Sequence, residues 1–263
     1  MSESAAPRRL GLGFWSFIIF MLALTGLFVA LGVWQLNRLA QKEALIAAVD
    51  ERLHLAPLRL PPLAEWGALD PEIYSYRPVT VSGTFRNDQT VLVFASLTEP
   101  RGKFSGPGYW VMTPLVLDGG GVVFIDRGFV PQASGPEFAK GTTGPAGPQT
   151  ITGVALLPEA AGAFTPGADR PNRIDWIRDP KRLAAMLDPT LAPVAGLFIE
   201  APAGESGALP QGGETTIEFP NNHLGYAFTW FGFALLTPLL LAAWIWRQVR
   251  GKPKNIAASA PNH

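Results

Sequence analysis

The sequence predicts a membrane protein in which two transmembrane helices flank a mainly β (α+β) exported domain. Three observations predict it. Uncharged apolar stretches run from Phe14 to Trp34 and from Leu224 to Trp246. The chain between them changes from helical periodicity to an alternation of two, broken by Gly- and Pro-rich runs. Basic residues sit at the outer ends of both stretches. The implied segments are a tail at 1–13, a first span at 14–34, an exported domain at 35–223, a second span at 224–246 and a tail at 247–263.

At a rise of about 1.5 Å per residue the two stretches give helices of about 31 and 34 Å, against a hydrocarbon core of about 30 Å. Arg8 and Arg9 precede the first, and Arg247, Arg250, Lys252 and Lys254 follow the second. The inner flanks carry only Arg38, Lys42 and Arg52, so positive charge places both termini in the cytoplasm and the middle of the chain in the periplasm. The net charge of zero conceals a split: residues 35–223 hold 15 Lys/Arg against 20 Asp/Glu. Nucleic acid is an improbable partner for an acidic exported domain. Ala30-Leu31-Gly32 offers a cleavage-like spacing, but the first stretch exceeds the usual signal length of about 7 to 15 residues, so an uncleaved anchor is expected. No Arg- and Ser-rich leader precedes it, which favours a bacterial inner membrane.

The chain contains no cysteine, so no disulfide staples the domain and no thiolate metal pair exists. Its 189 central residues must be held by an apolar core. Gln35 to Leu53 reads as a helix continuing from the first span, with Leu39, Ile46 and Leu53 seven apart, ended by Pro57, Pro61 and Pro62. Strands are expected at Val79–Gly83, Thr90–Phe94, Tyr109–Leu117, Val122–Ile125, Ile151–Leu157 and Val194–Glu200. Asp118-Gly119 is a hairpin signal. Pro180–Leu187 reads as a short helix with Asp179 as N-cap and Pro180 in the first position. Loops are expected at Pro100–Gly108, Pro131–Pro148 and Ala201–Gly213.

No Gly-x-Ser-x-Gly elbow, P-loop, dinucleotide fingerprint or His-Glu-x-x-His occurs. Asp126-Arg127-Gly128 reads as an ion pair fixing a turn rather than as an acid beside a cation. Of three histidines, His54 and His263 lie in polar surroundings, whereas His223 opens the second span. Tyr226 and Trp230 follow at i+3 and i+7 and share its helix face. Gly225, Thr229 and Gly232 make a small-residue stripe that matches Ala23, Gly26 and Ala30 of the first span, so the helices are expected to pack through those faces. Two readings of the His/Tyr/Trp face then stand. One is a haem site, with imidazole as axial ligand of iron and aromatic walls for the porphyrin. The other is an ordinary aromatic belt with a histidine bonding the helix entrance.

The residues resemble the Surfeit locus protein one family, the assembly factors of haem-copper cytochrome c oxidase. The resemblance rests on Leu31-Gly32-Val33-Trp34-Gln35-Leu36-Asn37-Arg38-Leu39 with Lys42, and on Tyr76-Arg77-Pro78-Val79 with Gly83 and Phe85. Gly108-Tyr109-Trp110-Val111, Thr113-Pro114-Leu115 and Asp126-Arg127-Gly128-Phe129-Val130-Pro131 add a third block. Phe164-Thr165-Pro166, Asn172, Trp176 and Asp179 follow, then Asn221-Asn222-His223-Leu224-Gly225-Tyr226-Ala227-Phe228-Thr229-Trp230-Phe231. Phe129 stands where that pattern often has Trp.

The resemblance implies an inner-membrane protein, not an enzyme, that binds or delivers haem a to the catalytic subunit of cytochrome c oxidase, with haem a synthase as a further partner. It makes His223 the haem contact and metal ligand, with Tyr226 and Trp230 in the same cofactor-binding motif. Arg77, Arg127 and Trp176 are expected to determine the fold, with Arg127 a candidate partner for a haem propionate. The alternatives are a structural clamp on an oxidase assembly intermediate that binds no cofactor, and a membrane-anchored enzyme acting on haem or lipid.

Overall fold

The computed structural model describes residues 11–214 and 221–250. Arg8, Arg9, Lys252, Lys254 and His263, used in the sequence reading, lie outside them. The chain divides into two compact units, Met1–Ile46 with Phe219–His263, and Ala47–Glu218.

The helical unit pairs the first helix, α1 (Leu12–Leu53), with the last helix of the chain, which runs from His223 to Arg250. Both are long and apolar enough to cross a membrane by length and composition. On the last helix the contact seam is His223, Ala227, Trp230, Ala234, Thr237, Leu241 and Trp244, a repeat of alternating four and three residues. That spacing keeps one stripe facing a partner helix over many turns. On α1 the facing residues are Phe14, Phe17, Met21, Thr25, Phe28, Gly32 and Gln35. Phe14 stacks on Trp244 with centroids 5.1 Å apart, and Phe28 on Trp230 at 5.8 Å. The Thr25 and Thr237 hydroxyls meet at 2.9 Å.

This seam corrects the expected packing. Ala23, Gly26, Ala30, Gly225, Thr229 and Gly232 are all exposed, and nothing lies within 4 Å of a Cβ built on Gly26, Gly225 or Gly232. Aromatic stacking and a hydroxyl pair hold together the faces that do meet. Those groups occupy the opposite stripe from the small residues. Gly32, with Ala227 and Ala234, is a small residue that does serve the contact: a Cβ on Gly32 would come within 2.7 Å of the Phe231 ring.

In the sheet unit the strands in chain order are β1 (Leu58–Arg59), β2 (Pro78–Phe85), β3 (Val91–Leu97), β4 (Gly106–Leu117) and β5 (Val122–Pro131). Helix α2 (Gly135–Ala139), β6 (Pro148–Leu156), β7 (Ile174–Asp175), α3 (Pro180–Ala184) and β8 (Val194–Glu200) follow, and the long helix of the other unit is α4. Five strands form a closed ring, β2–β6–β8–β5–β4, which returns to β2 through the pairs Gly83↔Leu117, Thr84↔Val116 and Phe85↔Leu115. All contacts in the ring are antiparallel except β5 with β8. Strand β3 extends the sheet beside β4, and the two-residue strands β1 and β7 add parallel edges.

Alternation sorts the side chains. Val79, Val81, Phe85, Leu115, Val123, Ile125, Ala155, Ala195, Leu197 and Ile199 fill the ring from all five strands. The intervening Phe124, Leu156 and Phe198 point the other way and form a second cluster with Val91, Val93, Met112 and Leu183 of α3. Phe138 of α2 closes a third with Leu92, Tyr109, Val111 and Val130. Ring closure demands a close approach at Gly83, where any Cβ would sit 2.1 Å from the Val116 carbonyl oxygen. The β4–β5 hairpin turns through Gly120 and Gly121 at φ of 88° and 80°, beside the expected Asp118-Gly119.

Six of the eight strands among the described residues fall where the sequence predicts them. The sequence does not predict β1 and β7, which are too short for a period, or α2 inside the loop expected at 131–148. Helix α3 is shorter than expected but is capped as expected, with the Lys181 N–H donating to Asp179 Oδ1 at 3.0 Å.

Candidate functional site

His223 is the first residue of α4. Its Nδ1 lies 2.8 Å from Oε1 of Gln35, a buried residue on α1 that shares the helical unit. A carboxamide oxygen only accepts, so a hydrogen bond in this orientation takes its proton from Nδ1 of the imidazole. The ring is half-buried. One exposed turn further on, Tyr226 presents its ring to the surroundings at 57% exposure. Trp230 lies two turns on from His223, but its ring is committed to the seam, stacked on Phe28 and edge-on to Phe233. The aromatic face expected to stand free beside His223 is therefore divided: Trp230 with His223 faces α1, and Tyr226 faces outward.

Nε2 of His223 is the imidazole nitrogen that Gln35 does not engage, and imidazole is a common axial ligand of iron. Among the described residues no group of three His, Cys, Asp or Glu is placed to hold a bare metal ion.

The sheet unit buries two carboxylates that are paired with arginines. Asp126 is fully buried, accepts the Gly128 N–H through Oδ1 at 3.0 Å, and pairs through Oδ2 with Nη1 of Arg178 at 3.0 Å. Arg178 also reaches Glu159 at 2.7 Å and lies 5.2 Å from the ring centroids of both Trp110 and Phe198. Burial pushes the Asp126 carboxyl up, against the Arg178 guanidinium and the Gly128 N–H. Burial lowers Arg178, and the Asp126 and Glu159 carboxylates outweigh it, so its net displacement is upward. Asp175, likewise fully buried, pairs with Nε of Arg182 at 2.7 Å.

Asp126 was expected to pair within its own turn, and the structure corrects this. Its partner lies 52 residues on, while Arg127 donates to the Thr143 carbonyl at 3.1 Å and sits over the Phe85 ring. Successive side chains on a strand point to opposite faces, so Asp126 and Arg127 cannot share one. Arg77 donates to the Ala56 carbonyl at 3.3 Å, and the backbone N–H of Trp176 donates to Asp175 Oδ1 at 2.7 Å. The two arginine side chains thus bond backbone carbonyls of the sheet unit.

In the sequence Gln35 stands out only as the start of the helix that continues the first span and as part of a motif, not as a site residue. The available signal was the repeat itself, since His223, Trp230, Thr237 and Trp244 recur every seven residues and mark the stripe that meets α1.

A pair of long apolar helices carried by a chain with a closed five-stranded ring defines a class, a β-ring protein flanked by two helices of membrane-spanning length, with a histidine opening the second. Comparison with known proteins places it more narrowly. The SURF1 family model matches residues 22–235. A SURF1-like protein of Monosiga brevicollis is 31% identical over 99% of this chain and 97% of its own length. Surfeit locus protein 1 of Homo sapiens is 28% identical over 96% of this chain and 83% of its own. A SURF1-like protein of Rickettsia bellii is 26% identical over 78% and 81%. The chain belongs to the SURF1 family, the family of oxidase assembly factors that the residues resembled.

Proposed function

We propose that this protein is a non-enzymatic assembly factor for haem-copper cytochrome c oxidase that takes up haem a through His223 and hands it to the catalytic subunit, with haem a synthase as the source. Family membership over 22–235 is the observation that carries the reading. In this account α1 and α4 cross a bacterial inner membrane, both termini are cytoplasmic and the sheet unit is periplasmic. The lengths of the two helices and the basic residues at their outer ends support that orientation.

The residues present fit a haem. Nδ1 of His223 is engaged by Gln35, and Nε2 is the nitrogen left unengaged by it at the entrance of a membrane-length helix. Haem a supplies the iron that this nitrogen coordinates. Tyr226, exposed one turn along, offers an apolar ring to the macrocycle, and Trp230 supports the site by holding α4 against α1.

The full chain, purified in detergent from cells that make haem a, is expected to show a Soret band at about one haem per chain, lost in His223→Ala. A clean wild-type preparation without that band, but with the oxidase catalytic subunit attached, overturns the carrier and establishes the structural clamp.

A further inference from the structure

We infer that Gln35 is the positioning residue of His223: its side-chain carbonyl holds the imidazole proton on Nδ1, so that Nε2 is the nitrogen presented for coordination. The identity of the coordinated ligand rests on the haem reading above.

Three observations carry this. The Nδ1 to Oε1 separation of 2.8 Å is that of a well-formed hydrogen bond. Gln35 is 8% exposed, so its amide oxygen has little access to water and its bond to His223 is costly to lose. The approach is also built into the helix pair. Gly32 stands one turn before Gln35 on α1, and the Phe231 ring of α4 occupies the space that any larger residue would need. That close contact brings the first turn of α4 within reach of a glutamine side chain. Elsewhere the seam is filled by aromatic and aliphatic groups and by the Thr25–Thr237 pair, so an amide at this one place has a specific partner.

The chemistry matches the way proteins prepare histidine ligands. A ligating imidazole donates its second N–H to an oxygen acceptor, which fixes both tautomer and ring orientation, and removing the acceptor costs about 10- to 100-fold in metal affinity. A glutamine supplies this acceptor without adding a charge.

The test uses the full chain in detergent with nitrogen-15-labelled histidine. Only three histidines are present, and His223→Ala assigns the signal. Free of haem, wild-type His223 is expected as the Nδ1–H tautomer. Gln35→Leu is expected to release it to a mixture, and Gln35→Glu, which keeps an acceptor oxygen, to restore it. Haem a titration of the same variants should show about a 10- to 100-fold loss of affinity for Gln35→Leu and recovery for Gln35→Glu. A wild-type Nε2–H tautomer, or a tautomer ratio unmoved by Gln35→Leu in a chain with unchanged helix content and melting, overturns the inference. If the tautomers shift as expected while His223→Ala binds haem a as tightly as wild type, the positioning of His223 is upheld and the haem reading alone falls.

Discussion

Replacing Arg178 by Met should destabilise the sheet unit more than any surface change. The guanidinium is nearly enclosed, with 11% of its side chain exposed, and its partner Asp126 has none. Met retains most of the apolar stem between Trp110 and Phe198 but leaves a carboxylate buried without its cation. Breaking a buried pair from one side costs about 3 to 5 kcal/mol. For a unit of this size, each kcal/mol lowers the melting temperature by about 2 to 4 °C, so the expected fall is about 6 to 20 °C. The assay is thermal unfolding of the detergent-solubilised full chain, followed by the far-ultraviolet signal of the sheet. The double variant Asp126→Asn with Arg178→Met removes the stranded charge while keeping an oxygen for the Gly128 N–H, and should recover more than half of the loss. A fall of under about 1 kcal/mol in the single variant, or no recovery in the double, would refute the assignment of this pair as a buried determinant of the ring.

The helix seam is open to cross-linking because the chain has no cysteine of its own. Thr25→Cys with Thr237→Cys should form a disulfide on mild oxidation, whereas Gly26→Cys with Gly232→Cys should not, and the reverse pattern would restore the small-residue packing. Gly83→Ala should destabilise the sheet unit by about 1 to 3 kcal/mol in the same melt, since the methyl group would meet backbone rather than a movable side chain. Asp88 is paired in an exposed bidentate contact with Arg86, whose hydrogen bond holds its carboxyl down from 3.8 to about 2. A lowered folded value means that the contribution is present above about pH 4 and is lost as pH falls toward 2. The melting temperature of wild type should therefore exceed that of Asp88→Asn at pH 5 and converge on it near pH 2, by less than about 1 kcal/mol because the pair is solvated.

The legible parts of this protein were those that local pattern encodes. Alternation at Val79, Val81 and Phe85, or at Val123 and Ile125, announces a strand with one inward face, and Asp179-Pro180 announces a helix start. Ring closure was not legible, because it depends on three pairs between residues 83–85 and 115–117 that no local period reveals. Nor was the partner of Asp126, since an adjacent arginine looks like an ion pair in one dimension, while the strand sends the two side chains to opposite faces. The histidine of the site stood out through its scarcity and its place at the start of α4. Its buried partner did not. Gln35 lies 188 residues away on a helix whose polar positions are uninformative until the seam is known, and the competing Gly and Ala stripes have the same spacing as the stripe that packs.

The central claim is that His223 carries haem a on its way to the oxidase. The most direct measurement is the haem a content of the catalytic subunit isolated from cells whose own copy of this protein is replaced by His223→Ala at matched expression. The account predicts a subunit depleted of haem a, with the wild-type chain restoring it. A catalytic subunit fully supplied with haem a in the presence of the variant would contradict it.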